Sequence, residues 1–468
     1  MNAIQILRAL AATDSRNEKE QIIHDSFMAG ERDFFIGAKL AYDKLISFGV
    51  AKVAEIKEDD DGYPGTLSFD DFLALARRLQ RRELTGHAAR DAIHEAAERS
   101  GISIWNLFYR RILLKDFKVG CDSSTINKVL GKIAKNDPEA SDYLIPIFQP
   151  QLAKDIADDE GNILPKFRKG KWLVDVKFDG ARLLTFLDRD TKSVTQYTRE
   201  GRLNENFPHI CEALSAILDD LPYSVVLDGE IVAGSFQELM EQINSTEKAD
   251  ASKTKLAVFD LVPMADFIKG LCSVNQTDRH AALVAFGTSD LFVQKVGESV
   301  YVLPKQEIDF DTPEGNAEYE ALWQETQEKM SDNPIIEGLM FKKGDAEYHS
   351  MGSDSWCRWA AWGKVKPRIS VSLTCVGVER GDANGKYADT LGALIFEGCD
   401  MGRKIRVNVG SGFTQEKRNE WYEDPSKVIG MIGEVLADKF SKPKDGDVWS
   451  LRFPTLKGWR GTVPGEKI

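Results

Sequence analysis

Trp172-Leu173-Val174-Asp175-Val176-Lys177-Phe178-Asp179-Gly180-Ala181-Arg182 reads as a strand that runs into a turn. Alternation puts Trp172, Val174 and Val176 on one face and Leu173, Asp175 and Lys177 on the other, so the lysine is presented opposite the core. Gly180 permits a tight turn, which lets Asp179 and Arg182 approach whatever Lys177 touches. A lysine amine is a nucleophile only when deprotonated, and that requires nearby cations or desolvation. Taken alone, such a segment is most often the end of a surface hairpin. What lifts it is the series of chemically suited residues that follows.

The sequence changes character on either side of this strand. Before about residue 143, apolar residues recur at three- and four-residue spacing, which predicts helices over Ile4–Ala11, Phe34–Phe48, Phe69–Leu79 and Ala88–Ala97, with Ser68 and Asp70 as caps of the third. From about Leu144 short runs of period two predict strands over Trp172–Val176, Leu183–Leu187, Ser224–Val232, Leu256–Val262 and Gly338–Phe341. After Lys366-Pro367 the strands become denser: Ile369–Val378, Ala393–Glu397, Lys404–Val409 and Val448–Phe453, with one helix near Gln415–Tyr422. That density suits a small five-stranded barrel. The chain therefore reads as a multidomain α+β protein of three units, 1–143, 144–367 and 368–468.

Within the middle unit, Thr198-Arg199-Glu200-Gly201 ends the second strand, and an arginine fork suits phosphate geometry. In Leu227-Asp228-Gly229-Glu230-Ile231-Val232, period two places Asp228 and Glu230 on one face. Two adjacent carboxylates repel unless a cation or hydrogen bonds compensate, so metal or ribose binding stands beside an ordinary exposed face. Phe259-Asp260 lies in a strand where an aromatic is ordinarily core. Glu337-Gly338-Leu339-Met340-Phe341-Lys342 separates its two charges by five residues, so an unbent strand would point Lys342 away from Glu337. Trp362-Gly363-Lys364-Val365-Lys366-Pro367 carries two amines on one face, able to stabilise a transferring phosphoryl group and to depress the pKa of Lys177.

In this order the segments resemble the motifs of the covalent nucleotidyltransferases, the ATP-dependent DNA ligases with their RNA-ligase and mRNA-capping relatives. The resemblance implies that Lys177 is the AMP-lysine nucleophile, that Asp175 contacts the adenine amino group and that Phe259 stacks on adenine. It further implies that Arg182, Glu230 and Lys342 hold the nucleotide. Arg199 would bind the 5′-phosphate of a nick, Asp228, Glu230 and Glu337 a metal, and Lys364 and Lys366 the α-phosphate. ATP and magnesium are the implied cofactors, with manganese able to substitute. NAD is disfavoured as donor, because no tetracysteine zinc module and no extra nucleotide-recognition motif are apparent.

The flanks extend the resemblance. Leu451-Arg452-Phe453-Pro454 with Trp459-Arg460 is similar to the last ligase motif, Arg-Phe-Pro-Arg-x-x-Arg-x-Arg. Thr455 replaces the second arginine, and Lys457 and Arg460 are what remains of the later basic positions. Val407-Asn408-Val409-Gly410-Ser411-Gly412-Phe413 is similar to a turn of DNA-ligase barrels. Leu84-Thr85-Gly86-His87-Ala88-Ala89 and Leu113-Leu114-Lys115-Asp116-Phe117-Lys118-Val119-Gly120 resemble segments of the helical DNA-binding domain of larger, T4-type phage ligases. Arg111, Lys115 and Lys118 are then candidates for contacts to the duplex backbone. The implied architecture is an all-α N-terminal DNA-binding domain, an α/β nucleotidyltransferase (adenylation) domain and a C-terminal OB-fold β-barrel. The implied partners are nicked double-stranded DNA and ATP, with no membrane, for a monomer that encircles DNA in the cytoplasm of a bacterial cell or a phage-infected host. An RNA ligase or capping-type nucleotidyltransferase shares the lysine chemistry, and a non-catalytic nucleic-acid clamp with a decayed site is the reading from another class.

Composition constrains this reading only loosely. With 61 basic and 74 acidic residues the net charge is −13, which argues naively against a polyanionic partner. Local clusters matter more than the sum: acid gathers at Glu58–Asp61 and Asp155–Glu160, base at Arg77/Arg78/Arg81/Arg82, Arg110/Arg111/Lys115/Lys118 and Lys166/Arg168/Lys169/Lys171. Hydrophobic content of 42% supports several cores, no apolar run reaches membrane-spanning length, and the first residues lack a signal-peptide pattern. Six scattered cysteines form no C-x-x-C pair, which suits a reducing compartment.

Overall fold

The computed structural model describes residues 2–50, 52–56, 65–158, 161–234, 238–240, 253–333, 335–383, 385–441, 446–461 and 463–466. The acidic run Glu58–Asp61 and the end of Asp155–Glu160 lie outside the described residues. No helix among the described residues is long and apolar enough to cross a membrane.

Among the described residues up to 149 the regular elements are helical. The expected helices appear as Ala3–Ala11, Arg32–Tyr42, Phe69–Gln80 and Gly86–Glu98. The second of these stops at Tyr42, short of the predicted Phe48, because Asp43 turns extended. Ser68, not Asp70, caps the third: its hydroxyl accepts from the Asp71 amide at 3.1 Å, and Asp71 returns a bond to the Ser68 amide. A further helix, Arg16–Met28, escaped the sequence reading because it buries only Lys19, Ile23, Ser26 and Phe27 and so shows no apolar stripe. A single turn of π-helix, Trp105–Tyr109, sets Tyr109 flat against Phe72 with ring centroids 4.4 Å apart.

The middle of the chain builds two large sheets, with a small pair of strands, Leu271–Cys272 and Tyr348–His349, beside them. The first runs Lys154–Asp155, Trp362–Val365, Ile336–Lys343, Lys171–Phe178, Gln306–Asp309 in spatial order. The second runs Leu203–Asn204, Ser193–Thr198, Ala181–Asp188, Val225–Val232, Lys255–Pro263, Val300–Val302. The chain leaves the first sheet at Phe178 and enters the second at Ala181, so the segment around Lys177 is the corner between two sheets and not a hairpin. Trp172, Leu173, Val174 and Asp175 are all buried, so both faces of this strand are covered.

From Ile369 the strands form one seven-stranded sheet curled around a single apolar core, where a five-stranded barrel was expected. Its spatial order is Lys439–Ser441, Val448–Arg452, Arg403–Val409, Leu391–Asp400, Ile369–Arg380, Ile432–Ala437, Thr455–Trp459. Strand Arg403–Val409 keeps strict period two, with Ile405, Val407 and Val409 buried. Ile432–Ala437, Lys439–Ser441 and Thr455–Trp459 were missed, being short or interrupted by glycine and lysine. Arg418 from the helix Gln415–Glu423 donates to the carbonyls of Leu391, Gly392 and Gly410, which ties the glycine turn Gly410–Gly412 to the sheet.

Buried charge fixes the helix Gln276–Gly287 to the second sheet. Arg279, 1% exposed in its side chain, grips Asp260, 0% exposed, at 3.0 and 3.2 Å, and also donates to the Gln276 side chain and the Ala346 carbonyl. Arg279→Ala strands Asp260 as an unpaired buried charge and is expected to cost about 3–5 kcal/mol, read as a lower calorimetric melting midpoint.

Candidate active site

Lys177 lines a cavity of about 550 Å³ in the angle between the two central sheets. Glycine is required at position 180 by close approach, since a Cβ there would meet the Ile231 carbonyl oxygen at 2.4 Å and the Glu230 side chain at 2.5 Å. The corner therefore presses Lys177 toward the strand that carries Glu230.

Whether Glu337 and Lys342 share a face is decided by a β-bulge. Lys177 pairs across the strands with Gly338, Asp175 with Met340 and Leu173 with Lys342, which places Lys342 on the Asp175 and Lys177 face. Strict alternation would send Glu337 to the opposite face. The register shifts between Ile336 and Gly338, and Gly338 adopts φ +149°, so Glu337 turns back onto the same side. There one of its oxygens meets the Lys177 ammonium, and the other lies 3.2 Å from Lys366. Burial works to raise the Glu337 carboxyl, but Lys177 and Lys366 outweigh it and hold it well below the ordinary carboxylate range. The two charges separated by five residues thus converge, contrary to the unbent-strand expectation.

Beneath them Asp175 is fully buried, and its Oδ2 takes Lys342 at 2.8 Å and Lys305 at 2.7 Å. Burial opposes this carboxylate, and the two lysines prevail and lower its pKa. Burial depresses the Lys342 ammonium to about 8 despite Asp175. Lys342 Nζ also lies 4.3 Å from the centroid of the Phe259 ring, which lines the cavity. Lys305 was missed by the sequence reading, since Leu303-Pro304-Lys305 carries no motif.

Asp228 and Glu230 part company. Asp228 is wholly buried, with Arg182 Nε at 2.8 Å and the Tyr348 hydroxyl at 2.6 Å, and it does not line the cavity. Arg182 is spent on that pair and on the Gln151 carbonyl at 2.7 Å, while its guanidinium lies 5.5 Å from both the Phe259 and the Trp362 ring centroids. Glu230 does face the cavity and has no hydrogen-bond donor among the described residues. Burial pushes its carboxyl up to about 7, against the pull of Lys177 and Arg182.

Around the mouth stand cations. Arg199 and Lys364 line the cavity, and so does Arg358, which the sequence reading missed. Lys364 lies 3.2 Å from Asp155, and Arg358 is held by Asp354 at 2.9 Å. Arg199 has no side-chain acceptor among the described residues. From the C-terminal sheet, Arg452 reaches Asp179 at 2.7 Å and stands 4.0 Å from Glu337. Its cross-strand partner Lys439 joins the same Asp179, and Asp438 takes Lys366 at 2.7 Å. Arg460 and Lys457 pair with Glu434 instead, so the end of that segment is turned away from the cavity.

The three candidates near residue 115 separate as well. Lys118 and Arg111 stay at the surface or partly exposed. Lys115 is partly exposed too, but its ammonium turns inward to the carbonyls of Leu40 at 2.6 Å and Asp43 at 2.7 Å, closing the end of Arg32–Tyr42, and burial lowers it to about 8. A charge already spent on a helix terminus is a structural cap, so Lys115 is withdrawn as a backbone contact.

Comparison with known proteins gives the following. The family model described as an ATP dependent DNA ligase domain matches residues 150–366. A probable DNA ligase of Streptomyces griseus is 28% identical over 243 residues, 50% of this chain and 42% of that protein. A DNA ligase of Haloferax volcanii is 27% identical over 292 residues, 58% and 41% of the two chains. The match thus spans less than half the length of these curated relatives. A solved structure named Pmar-Lig_PreS3 is 35% identical with a TM-score of 0.64, over 98% of this chain and 99% of that one.

The bulge itself can be tested. A Cβ at Gly338 would meet the Val365 carbonyl oxygen at 2.1 Å, whereas one at Gly458 meets nothing within 4 Å. Gly338→Ala is expected to lower stability by about 1–3 kcal/mol, seen as a reduced melting midpoint, with Gly458→Ala unchanged.

Proposed function

The chain belongs to the ATP-dependent DNA ligases, and we propose that it seals nicks between a 5′-phosphate and a 3′-hydroxyl in duplex DNA through an adenylate carried on Lys177. The observation that carries the reading is the convergence, at one corner between two sheets, of an amine, two carboxylates and a rim of cations. A triphosphate needs the cations, and transfer of a nucleotidyl group needs the amine.

Lys177 begins paired with Glu337, and while its nitrogen donates to that carboxylate it is not free to attack. Lys366 already holds the second oxygen of Glu337 and keeps the carboxylate in place as phosphate enters. The freed amine attacks the α-phosphorus of ATP. A P–N bond forms, the α–β P–O bond breaks, pyrophosphate leaves, and the amine gives one of its two protons to water and keeps the other. An oxygen of the DNA 5′-phosphate then displaces the lysine, which takes back a proton, and forms the 5′–5′ pyrophosphate linkage to AMP. Finally the 3′-hydroxyl attacks the 5′-phosphorus, AMP leaves with the bonding electrons, and the hydroxyl proton is released. Lys364 and Lys366 balance charge on the α-phosphate, Phe259 holds adenine, and Arg199 holds the 5′-phosphate. Asp175 serves beneath them as the anchor of Lys342 more than as a free acceptor for adenine.

Magnesium fits Glu230 and Glu337. A partly buried carboxyl with no donor among the described residues, raised to about 7, is a group that a cation would ionise. No cluster of three or more metal-binding side chains occurs among the described residues, and Glu230 and Glu337 would hold a hard cation, magnesium or manganese, through carboxylate oxygens. Asp228, committed to Arg182, is left out of that shell. When bound, the metal neutralises charge on the triphosphate.

We assign residues 1–143 to an all-α DNA-binding domain, 144–367 to the nucleotidyltransferase domain and 368–468 to an OB-fold. Three such units around one site suit a monomer encircling nicked DNA in a cytoplasm, with Arg111 and Lys118 on the duplex backbone. An RNA ligase or a capping enzyme would share the corner without this helical region.

Incubation with α-labelled ATP and magnesium is expected to give an acid-labile adenylate, lost in Lys177→Met, that is discharged on nicked DNA. Absence of the adenylate overturns the reading, and discharge on RNA nicks alone overturns the substrate. The Glu230 proton competes with the metal: the magnesium needed for half-maximal adenylation should rise about tenfold per unit as pH falls below about 7, and Glu230→Gln should flatten that slope.

A further inference from the structure

His349 lies between two indoles, 4.0 Å from Trp356 and 4.5 Å from Trp359 by ring centroids, with interplanar angles of 18° and 15°. The stack is fixed at every point. His349 Nδ1 lies 3.1 Å from the Trp356 carbonyl, and its amide donates to the Gln151 side chain at 2.8 Å. Trp359 Nε1 donates to the same Gln151 oxygen at 3.1 Å. Trp356 Nε1 is shared between the carbonyls of Gly270 and Ser350, each at 3.2 Å. The backbone leading into it is held in an unfavourable form, with Met351 at φ +47°, and a Cβ on Gly352 would strike the indole at 2.5 Å. The outermost ring nevertheless remains 42% exposed.

A lone exposed apolar side chain is ordinary, but one immobilised by two carbonyls, a stacked imidazole and a strained turn is a preformed surface. Its place supplies the occupant. Trp356 belongs to the short helix Asp354–Cys357, followed at once by Arg358 on the cavity rim. The Asp354 carboxyl is lowered first by its bond to Arg358 and also by the field of Arg199, so both arginines stand beside this helix. The exposed hydroxyls of Ser353 and Ser355, 3.0 Å apart, lie at the start of the same short helix. Cations and hydroxyls for phosphate, next to a rigid aromatic plate, are the ingredients of a nucleic-acid contact.

We propose that the Trp356–His349–Trp359 stack is a contact surface for the nicked strand, on which Trp356 packs against a base or deoxyribose beside the phosphate held by Arg199. This rests on the ligase reading. Trp356 is not among the residues that line the cavity of Lys177, so the surface acts on DNA alone.

The test compares wild type, Trp356→Ala and Trp356→Phe for adenylation by ATP alone and for sealing of nicked duplex. Trp356→Ala should keep the wild-type adenylation rate and raise the KM for nicked DNA about tenfold, while Trp356→Phe restores most of that loss. An unchanged KM in Trp356→Ala overturns the surface, and so does a fall in adenylation parallel to sealing in both variants, because the stack is then only structural. Failure of the wild type itself to seal nicked DNA overturns the ligase reading instead.

Discussion

The chain must leave one sheet and enter another across Asp179 and Gly180, and this crossing is so tight that a single methyl at Gly180 would collide with the Ile231 carbonyl. Everything at the site follows from that closeness. It brings the strand of Lys177 and the strand of Glu230 to the same cavity, although they belong to different sheets. It also leaves Asp179 pointing outward from the corner, where the C-terminal sheet finds it through Arg452 and Lys439. One close approach thus fixes where Lys177, its carboxylate neighbours and the contact with the C-terminal sheet lie.

Charge explains why the corner holds together. Asp175 lies under two ammonium groups, Asp228 under a guanidinium and a phenol, and Asp260 under another guanidinium. Each buried carboxylate has a partner of its own, as a low-dielectric interior demands. Glu230 is the exception among them, facing the cavity without a donor from the described residues. The chain's net charge of −13 carries no hint of this arrangement, because the cations that matter are gathered at one rim.

Much of this was legible beforehand. The strand that carries Lys177 and the face shared by Asp175 and Lys177 follow from period two. What escaped the reading depends on geometry that periodicity does not carry. A bulge at Glu337-Gly338 reverses parity, so counting along the strand misjudged how Glu337 and Lys342 relate. Lys305 and Arg358 come from segments without a pattern, and Lys115 looks like any surface lysine until its carbonyl partners are seen. The C-terminal sheet was under-counted because three of its strands are short or broken by glycine and lysine, and two residues that pair from it with Asp179 and Lys366, Lys439 and Asp438, sit on such a strand or beside one.

The contact between Asp179 and the C-terminal sheet has a further consequence. It is made of ion pairs whose basic members, Lys439 and Arg452, are 38% and 24% exposed in their side chains, and Lys366 with Asp438 adds another at 18% each. Pairs so placed feel dissolved electrolyte, with a screening length near 8 Å at physiological ionic strength. Concentrated salt therefore loosens the hold of one unit on the other before it touches the buried pairs below. Ionic strength becomes a lever on the shape of the molecule, separate from its effect on attraction to a polyanion.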